Sequence, residues 1–462
     1  MQGMNARSPA TADAAAFSDI PGPQTRWWGL PLLGEMRRDY LGFCTRLKQQ
    51  HGDLVRLHIA RERGVEVFHP DLLREALVEH ADALKRWERG PEVFAELTGQ
   101  NVLVTEGATW QRQRRMLMPA FTPKKVAGYA ALMTDAARTG LDAAVPAGQA
   151  AADVDMALLF SHLAMDVILR TLFGTAAGSD TAATARAVQA ISEIGFKEMF
   201  WPFTWPDWLP LPGKASKRQA LRQLKVLLQH HMASPASAQG GTLLAMLRAL
   251  KDDETGQGLD EQEVFDQCMV SFTAGHETSA TALLWWSALL ARHPQAAERA
   301  AQEVDTVLQG REPGPDDLAA LPWLGATLKE AMRLFPPVAA IMTRRTTRPI
   351  TVGGHALPAR ALVRVTPWVM HRDPRFFPEP EAFRPERFMP GAEVPPRGAY
   401  VPFGLGPRVC LGQHFAVLEM TLIAAMLLQR YRIEATTTPM PEPRLNVTLR
   451  PSTPVLLRLH RR

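Results

Sequence analysis

Cysteine is scarce in this sequence. Its 462 residues include three cysteines, Cys44, Cys268 and Cys410, which lie far apart in the chain. Small secreted domains that rely on disulfides carry an even, closely spaced set of cysteines. The sequence therefore predicts a fold that needs no disulfides, in a reducing compartment, and we expect the protein to be cytoplasmic.

Long apolar runs are also lacking. The two most apolar segments, 281–291 and 421–429, fall short of the roughly 18 uncharged residues that a membrane span requires. The N-terminus has no basic start followed by an apolar run, and its Asp13 and Asp19 argue against an organelle transit peptide. We expect no membrane span, and we expect residues 1–20 to form a loose tail.

No Gly/Ser-rich linker, block of like charge or repeat divides the chain. Length alone would allow about three domains, but we expect a single domain over residues 21–462. A composition of 46% hydrophobic and 21% charged residues is typical of a globular protein. The net charge of +5 could suit nucleic acid, a membrane or an acidic protein. Because the basic residues are scattered, we expect no nucleic-acid partner.

Helical periods dominate the pattern. Residues 53–70 alternate apolar and polar positions around Gly64, which predicts a β-hairpin, and residues 71–80 predict a helix. The region 109–335 is mostly helical, and its longest helix runs from a capping box at Asp260 and Glu263 to His293. Short strands follow from residue 338, and a last helix covers 413–429. The fold class is mainly α with a small β portion (α+β).

Cys410 lies in the segment FGLGPRVCLG, residues 403–412, just before the last predicted helix. Backbone N–H groups and the helix dipole favour negative charge there, so this thiol should ionise more easily than a free cysteine. Gly404 and Gly406 can turn the chain around it. A metal ligand, a nucleophile and an inert buried cysteine are the alternatives. No neighbouring base or zinc-type ligand spacing supports catalysis or zinc.

The spacing of Phe403, Gly406, Arg408, Cys410 and Gly412 resembles the haem-binding signature of the cytochrome P-450 superfamily, the haem-thiolate monooxygenases, of the soluble bacterial type. The resemblance implies a long central helix over a b-type haem whose iron is ligated by Cys410. It also implies that Arg408 pairs with a haem propionate, that Phe403 shields the sulfur, and that Gly412 lets the backbone pass close to the porphyrin. A thiolate ligand favours O–O cleavage.

The motif WQRQR extends the resemblance. Trp110 and Arg114 are four residues apart and share a helix face, and in the family such a pair hydrogen-bonds a propionate. By itself, the pair would more often be an ordinary surface pair. Arg112 and Arg115 should then project to solvent, where we expect them to attract an acidic electron donor, although a merely solvated face is an equal alternative.

The motif AGHETS, residues 274–279, lies on the long helix. Gly275 removes a side chain, and the hydroxyl of Thr278 can reach the carbonyl of Ala274, which opens a groove. In the family this groove holds dioxygen, and Glu277 and Thr278 would arrange proton delivery. The alternative is a packing glycine and a solvated glutamate.

Two further motifs carry charged residues. Glu330 and Arg333 of EAMR are joined in the family by an arginine, here Arg387, in a structural anchor of the haem-binding core. After RLFPPV the family places a basic residue that reaches a propionate. Counting favours Arg344, and Arg345 stays possible.

The resemblance implies that haem activates dioxygen and inserts one oxygen atom into a lipophilic small molecule by hydroxylation or epoxidation. Because the chain ends soon after its last strands, we expect a separate ferredoxin- or flavodoxin-type donor with its reductase, and a monomeric protein. A haem-thiolate enzyme that uses peroxide or rearranges its substrate would not need Glu277 and Thr278. A non-catalytic haem sensor would not need a substrate pocket.

The substrate itself stays open among fatty acids, terpenoids and steroids, with a slight resemblance to fatty-acid-oxidising branches. The aromatic-rich segment 195–213 falls where the family has its mobile lid, and it suggests a lipophilic guest or an entrance that touches a membrane. An ordinary packed loop is the alternative. By position, the expected pocket residues are Val102, Leu103, Ala274, Val338, Ala339, Val447 and Thr448.

Overall fold

The computed structural model describes residues 15–178, 181–200, 205–206, 208–209, 211, 213–238, 240–340, 342–436 and 439–462. The chain divides into two compact units. The first comprises residues 1–87, 339–380 and 395–409, and the second comprises residues 88–338, 381–394 and 410–462. A single domain over residues 21–462 stays a prediction.

Helices account for most of the described residues, which confirms the predicted fold class. In chain order the α-helices are α1 (Leu30–Arg38), α2 (Tyr40–His51), α3 (Pro70–Arg74), α4 (Arg89–Thr98), α5 (Gly107–Leu117), α6 (Pro123–Ala127), α7 (Ala130–Asp142), α8 (Met156–Phe173), α9 (Thr181–Met199), α10 (Lys214–Met232), α11 (Leu243–Ala249), α12 (Glu261–Leu290), α13 (Pro294–Leu308), α14 (Pro322–Leu334), α15 (Pro367–Met370) and α16 (Gln413–Arg430).

The strands are short. They are β1 (Leu54–Ile59), β2 (Glu62–Val67), β3 (Leu84–Arg86), β4 (Ala151–Asp155), β5 (Arg344–Thr346), β6 (Ile350–Val352), β7 (His355–Leu357), β8 (Leu362–Val365), β9 (Tyr431–Ala435), β10 (Pro443–Leu445), β11 (Leu449–Pro451) and β12 (Leu456–Arg461).

The first unit contains a five-stranded sheet in the order β1-β2-β8-β5-β3. The predicted hairpin is present, but its turn is at Ala60 and Arg61, with φ of 54° at Ala60. Gly64 lies inside β2, opposite Leu362 of the parallel strand β8. A Cβ on Gly64 would come within 2.3 Å of the Leu362 carbonyl oxygen. The glycine therefore permits close strand approach, and the prediction that it forms the turn is wrong.

The end of the predicted N-terminal tail is packed in the first unit. The Ala15 N–H donates to the Gly354 carbonyl at 2.9 Å, and the Ile20 side chain is 1% exposed in the core with Val65, Val363 and their neighbours. The prediction of a loose tail is therefore wrong for residues 15–20, because Ile20 contributes to the core. Residues 1–14 lie outside the described residues.

The second unit is built around α12. Its N-terminus has the predicted capping box between Asp260 and Glu263, and it ends at Leu290, three residues before the predicted end at His293. At 1.5 Å per residue the helix is about 45 Å long. Trp285 and Trp286 are fully buried, and their indole N–H groups donate to the Leu449 carbonyl at 2.7 Å and to Thr327 Oγ1 at 2.9 Å. The C-terminal part of the helix is therefore surrounded by this unit's other elements.

Within the described residues, α8 is the one helix long and apolar enough to span a membrane, although the sequence predicted none. Of this 18-residue window, 72% is buried in the protein. The helix includes Asp166 and Arg170, which form an ion pair at 2.9 Å. This burial is the pattern of a core helix in a soluble protein.

Candidate haem site

Cys410 lies at the N-terminal end of α16, in the second unit. Gly412 is the N-cap of that helix, and its N–H donates to the Cys410 sulfur. The cysteine side chain is exposed to solvent. In the first unit, Gly404 and Gly406 precede it with φ of 82° and 79°, so both glycines turn the chain in a conformation that other residues rarely adopt.

The Cys410 thiol ionises less easily than a free cysteine, so the prediction made from its position at a helix terminus is wrong. The thiol is accessible, yet protein encloses it on most sides, and this desolvation raises its pKa. The Gly412 N–H and the positive charge of Arg114 oppose that effect without cancelling it. A bound metal ion would supply the missing positive charge and keep the sulfur deprotonated.

The two other cysteines are poor ligand candidates. Cys44 and Cys268 are both completely buried. Burial raises the pKa of both thiols, that of Cys268 to about 12. Cys410 is therefore the cysteine whose sulfur can reach an added group.

Trp110 and Arg114 lie on one face of α5, as their spacing indicated. The Arg114 guanidinium carbon is 5.9 Å from the centre of the Trp110 ring. Partial burial lowers the pKa of Arg114, while the Cys410 sulfur acts in the opposite direction. A cation close to the thiol is thus present in the second unit, on the element where a propionate-binding residue was predicted.

The hydroxyl of Thr278 donates to the Ala274 carbonyl oxygen at 2.7 Å, within α12. Ala274 is exposed although it lies on a helix that is otherwise largely buried. Gly275 points elsewhere, since a Cβ there would meet Ile168 of α8 at 3.2 Å. This geometry favours helix packing as the reason for Gly275, and it leaves Ala274 and Thr278 as the accessible part of the motif.

Glu277 is buried rather than solvated, and its hydrogen-bond partners do not include Thr278. Its carboxylate is 5% exposed and accepts hydrogen bonds from Ser192 Oγ at 2.6 Å and from Thr448 Oγ1 at 2.5 Å. The Arg450 guanidinium donates two more, at 2.9 and 3.1 Å. The carboxylate thus ties α12 to α9 and to the β10–β11 hairpin.

Glu330, Arg333 and Arg387 meet as the resemblance implied. Arg333 donates to both Glu330 oxygens at 2.7 and 2.8 Å, and both side chains are completely buried. The Arg387 Nε donates to Glu330 at 3.4 Å, and the Arg384 backbone N–H donates at 2.8 Å. These contacts join α14 to the 385–388 turn. Because Glu330 and Arg333 are buried and bound to each other, their role is structural.

Arg344 and Arg345 have different surroundings in the first unit. Adjacent residues of a strand point to opposite faces. Arg345 is 5% exposed and donates to both carboxylate oxygens of Glu62 at 2.9 Å, and to the Arg360 carbonyl at 2.8 Å. Arg344 projects to the other face of β5 and is half-buried. Both terminal nitrogens of the Arg345 guanidinium are therefore already bound to Glu62.

Arg112 and Arg115 reach solvent, with side chains 26% and 37% exposed, but both form ion pairs within the second unit. Arg112 forms an ion pair with Glu263, the capping residue of α12. Arg115 pairs with Asp252 at 2.6 Å and with Glu254 at 2.8 Å. Acidic groups within the second unit therefore neutralise the face that was expected to attract a donor.

Apart from the exposed Ala274, the expected pocket residues fall into two groups. Ala339 and Thr448 are 0% and 1% exposed, so neither faces an open cavity, and the hydroxyl of Thr448 is directed at Glu277. The apolar residues that are only half-buried, and so can still line a pocket, are Val102, Leu103, Val338 and Val447.

The segment 195–213 is only partly described. Residues 195–199 end α9, and Trp205, Trp208 and Leu211 are exposed. Residues 201–204, 207, 210 and 212 lie outside the described residues. The exposed tryptophans do not fit an ordinary packed loop.

Sequence reasoning missed the partners of the motif residues. Ser192 and Arg450 hold Glu277, and Ser279 donates to the buried Glu419 of α16 at 2.5 Å. No local pattern marks these residues. For Ser279, the one available signal of a role near the motif was its position directly after Thr278.

An accessible sulfur at the start of a buried helix, with a guanidinium acting on it, suits a haem-thiolate protein. Comparison with known families agrees. A model of the cytochrome P-450 family matches residues 21–458, and the chain belongs to this family.

Several relatives with curated names are similar over nearly the whole chain. Cyclooctatin synthase of Streptomyces melanosporofaciens is 35% identical, over 93% of this chain and 96% of the relative. Cyclooctat-9-en-7-ol 5-monooxygenase of the same organism is 32% identical, over 93% and 94%. Pentalenene oxygenase of Streptomyces avermitilis is 30% identical, over 87% and 90%.

The chemistry follows from this membership. The protein is a haem-dependent monooxygenase that uses b-type haem held by a cysteine thiolate, inserts one oxygen atom of dioxygen into a lipophilic substrate, and receives electrons from a redox partner. The predicted family, enzyme class and cofactor are confirmed. Oxygenases among the relatives favour this activity over a haem sensor or a rearranging enzyme.

Proposed function

We propose that this protein oxygenates a cyclic terpenoid at a haem bound through Cys410. One observation carries the ligand assignment: Cys410 has an accessible sulfur at the start of α16, whereas Cys44 and Cys268 are buried. The haem, when bound, supplies the activation of dioxygen that no side chain can perform.

The arginines and Trp110 would hold the cofactor. Arg114 lies near the Cys410 sulfur and 5.9 Å from the centre of the Trp110 ring, so this pair is suited to one propionate. Arg344 is preferred over Arg345 for a propionate because Glu62 already binds Arg345 from two sides. From the signature, we assign Arg408 to a propionate and Phe403 to shielding of the Cys410 sulfur. The backbone N–H of Gly412 donates a hydrogen bond to that sulfur.

Proton delivery is assigned to the Thr278 hydroxyl. Its bond to the Ala274 carbonyl holds Oγ1 at the exposed part of α12. Glu277 acts as a positioning residue in this proposal, because four donated hydrogen bonds hold its carboxylate toward Ser192, Thr448 and Arg450. It would keep α9 and the β10–β11 hairpin in place against α12.

We propose a cyclic terpenoid as the substrate, in place of the fatty acid that the sequence slightly favoured. The support is the names of the relatives, which specify cyclooctat-9-en-7-ol and pentalenene as substrates. Half-buried apolar residues such as Val102, Leu103 and Val447 are consistent with a hydrocarbon guest.

A separate ferredoxin- or flavodoxin-type protein would supply electrons. The net charge of +5 suits an acidic donor, but the ion pairs of Arg112 and Arg115 reduce the positive charge that these two residues could offer it. The protein would act as a monomer in the cytoplasm.

The test combines spectroscopy with product analysis. The reduced carbonyl complex should show the strongly red-shifted Soret band of thiolate ligation, and Cys410→Ala should lose it while Cys268→Ala retains it. Cyclic terpene hydrocarbons and alcohols should shift the Soret band of the resting protein more than fatty acids do. With isotopically labelled dioxygen, the product should gain one labelled oxygen atom. An imidazole-type spectrum would overturn the ligand assignment, and a preference for fatty acids would overturn the substrate class.

A further inference from the structure

Three large apolar side chains are exposed together near the start of the first unit. Trp27 is 83% exposed, Trp28 78% and Leu30 55%. Isolated exposed apolar residues are ordinary, but adjacent ones that include tryptophan mark interaction surfaces. We call Trp27, Trp28 and Leu30 the tryptophan patch.

The backbone holds these side chains outward. Trp27 and Trp28 have φ of 49° and 55°, which is rare for bulky residues, and Gly29 follows with 76°. The Ala60 N–H donates to the Trp28 carbonyl at 2.6 Å. A Cβ on Gly29 would lie 2.3 Å from the His58 carbonyl oxygen. The turn is therefore pressed against the β1–β2 hairpin, and backbone strain of this kind persists mainly at functional positions.

The charge near the patch is positive. Arg26 precedes the tryptophans, and Arg61 and Arg63 lie on the hairpin to which Trp28 is bonded, and all three are exposed. The neighbouring acidic residue Glu62 is bound by Arg345. An apolar patch beside exposed arginines thus complements a partner whose surface is negatively charged and whose interior, just beneath that surface, is apolar.

We infer that the tryptophan patch docks the protein peripherally on an anionic lipid bilayer. Tryptophan favours the level of the lipid head groups because its ring is apolar and its N–H is polar, and arginines are attracted to anionic lipids. Two or three side chains present too little area for a stable protein dimer, whereas reversible bilayer binding needs only a small inserted surface. The inference does not depend on which terpenoid is the substrate.

Vesicle co-sedimentation of the full-length holoprotein tests the inference. The vesicles are phosphatidylglycerol mixed with phosphatidylcholine, and phosphatidylcholine alone. The double variant Trp27→Asn with Trp28→Asn removes both indoles with a residue that tolerates positive φ. Arg61→Gln with Arg63→Gln tests the charge. Val394→Asn is the matched control, because Val394 is 85% exposed in the second unit.

Wild type and Val394→Asn should bind the anionic vesicles equally, and added salt should weaken both. The tryptophan variant should bind at least about tenfold more weakly, and the arginine variant should lose the preference for phosphatidylglycerol. The carbonyl spectrum and the urea midpoint should stay those of wild type, which excludes unfolding. Equal binding of wild type and the tryptophan variant, or no binding of wild type, would overturn the inference. A concentration-dependent dimer that the tryptophan variant abolishes would assign the patch to a second copy instead.

Discussion

Ionisation of the buried carboxyl of Glu419 should destabilise this protein as the pH rises. Glu419 lies on α16, the helix that follows Cys410, and is 1% exposed. Ser279 of α12, next to Thr278, donates to it at 2.5 Å. Burial raises the pKa of Glu419 from 4.5 to about 8, because the hydroxyl offsets only part of the desolvation. A neutral carboxyl thus links α16, which follows Cys410, to α12, which carries Thr278.

The sign and size follow from the pKa. Because the folded value exceeds the unfolded one, the native state binds the proton more tightly, and the stabilisation is complete below about pH 4.5 and lost as the pH rises to about 8. Each unit of pKa corresponds to about 1.4 kcal/mol, so the loss is about 5 kcal/mol. That is a large part of the roughly 5–15 kcal/mol by which proteins are stable.

Glu419→Gln isolates this effect, since the amide keeps the size and can hydrogen-bond Ser279 without ionising. Near pH 5 the free energies of unfolding should agree within about 1 kcal/mol. Near pH 9 the variant should be more stable by about 3–5 kcal/mol. Urea unfolding of both proteins across this range, followed by circular dichroism, measures the difference. Burial also raises the pKa of Glu66 to about 7. Both proteins contain Glu66, so its contribution cancels in the difference between their free energies of unfolding.

A difference between the two proteins that does not change with pH would refute the reasoning. It would show that residue 419 affects packing alone. An equal loss of stability at high pH in both proteins would place the sensitivity in other groups.

Thr278→Ala should keep haem and substrate binding but release reducing equivalents as hydrogen peroxide, and Thr278→Ser should restore coupling; the ratio of product to reductant consumed reports both. Arg333→Ala leaves the buried Glu330 carboxylate without its bidentate partner and should lower the free energy of unfolding by about 3–5 kcal/mol in urea titrations. Arg450→Met should cost about 2–4 kcal/mol for the same reason, and adding Glu277→Gln should recover most of it; no recovery would mean that Arg450 stabilises through packing.

Short-range patterns in the sequence predicted much of the fold and some of the site. The capping box of Asp260 and Glu263 begins α12 as predicted. Trp110 and Arg114 share a face because residues four apart are neighbours on a helix. The glycines before Cys410 turn the chain as their freedom of φ allows. Each of these features depends on residues within a few positions of one another.

Predictions that required knowing the environment failed. Gly64 was assigned to a turn, but its position is set by the approach of β8. Arg112 was assigned to solvent on helix geometry alone, but the start of α12 lies against it. The helix terminus was expected to lower the pKa of Cys410, but desolvation of the thiol outweighs that influence and raises the pKa.

The sequence by itself determined the cysteine that can bind haem, the helices that carry the motifs and the chemical class of the protein, because ligand loops and helix faces are encoded over short spacings. Only the tertiary structure decided which charges are neutralised. Glu277 is bound by Ser192, 85 residues away, and Arg345 by Glu62, 283 residues away. Burial and partners set the energy of a charged group, and they arise when distant segments pack together, which no local spacing records.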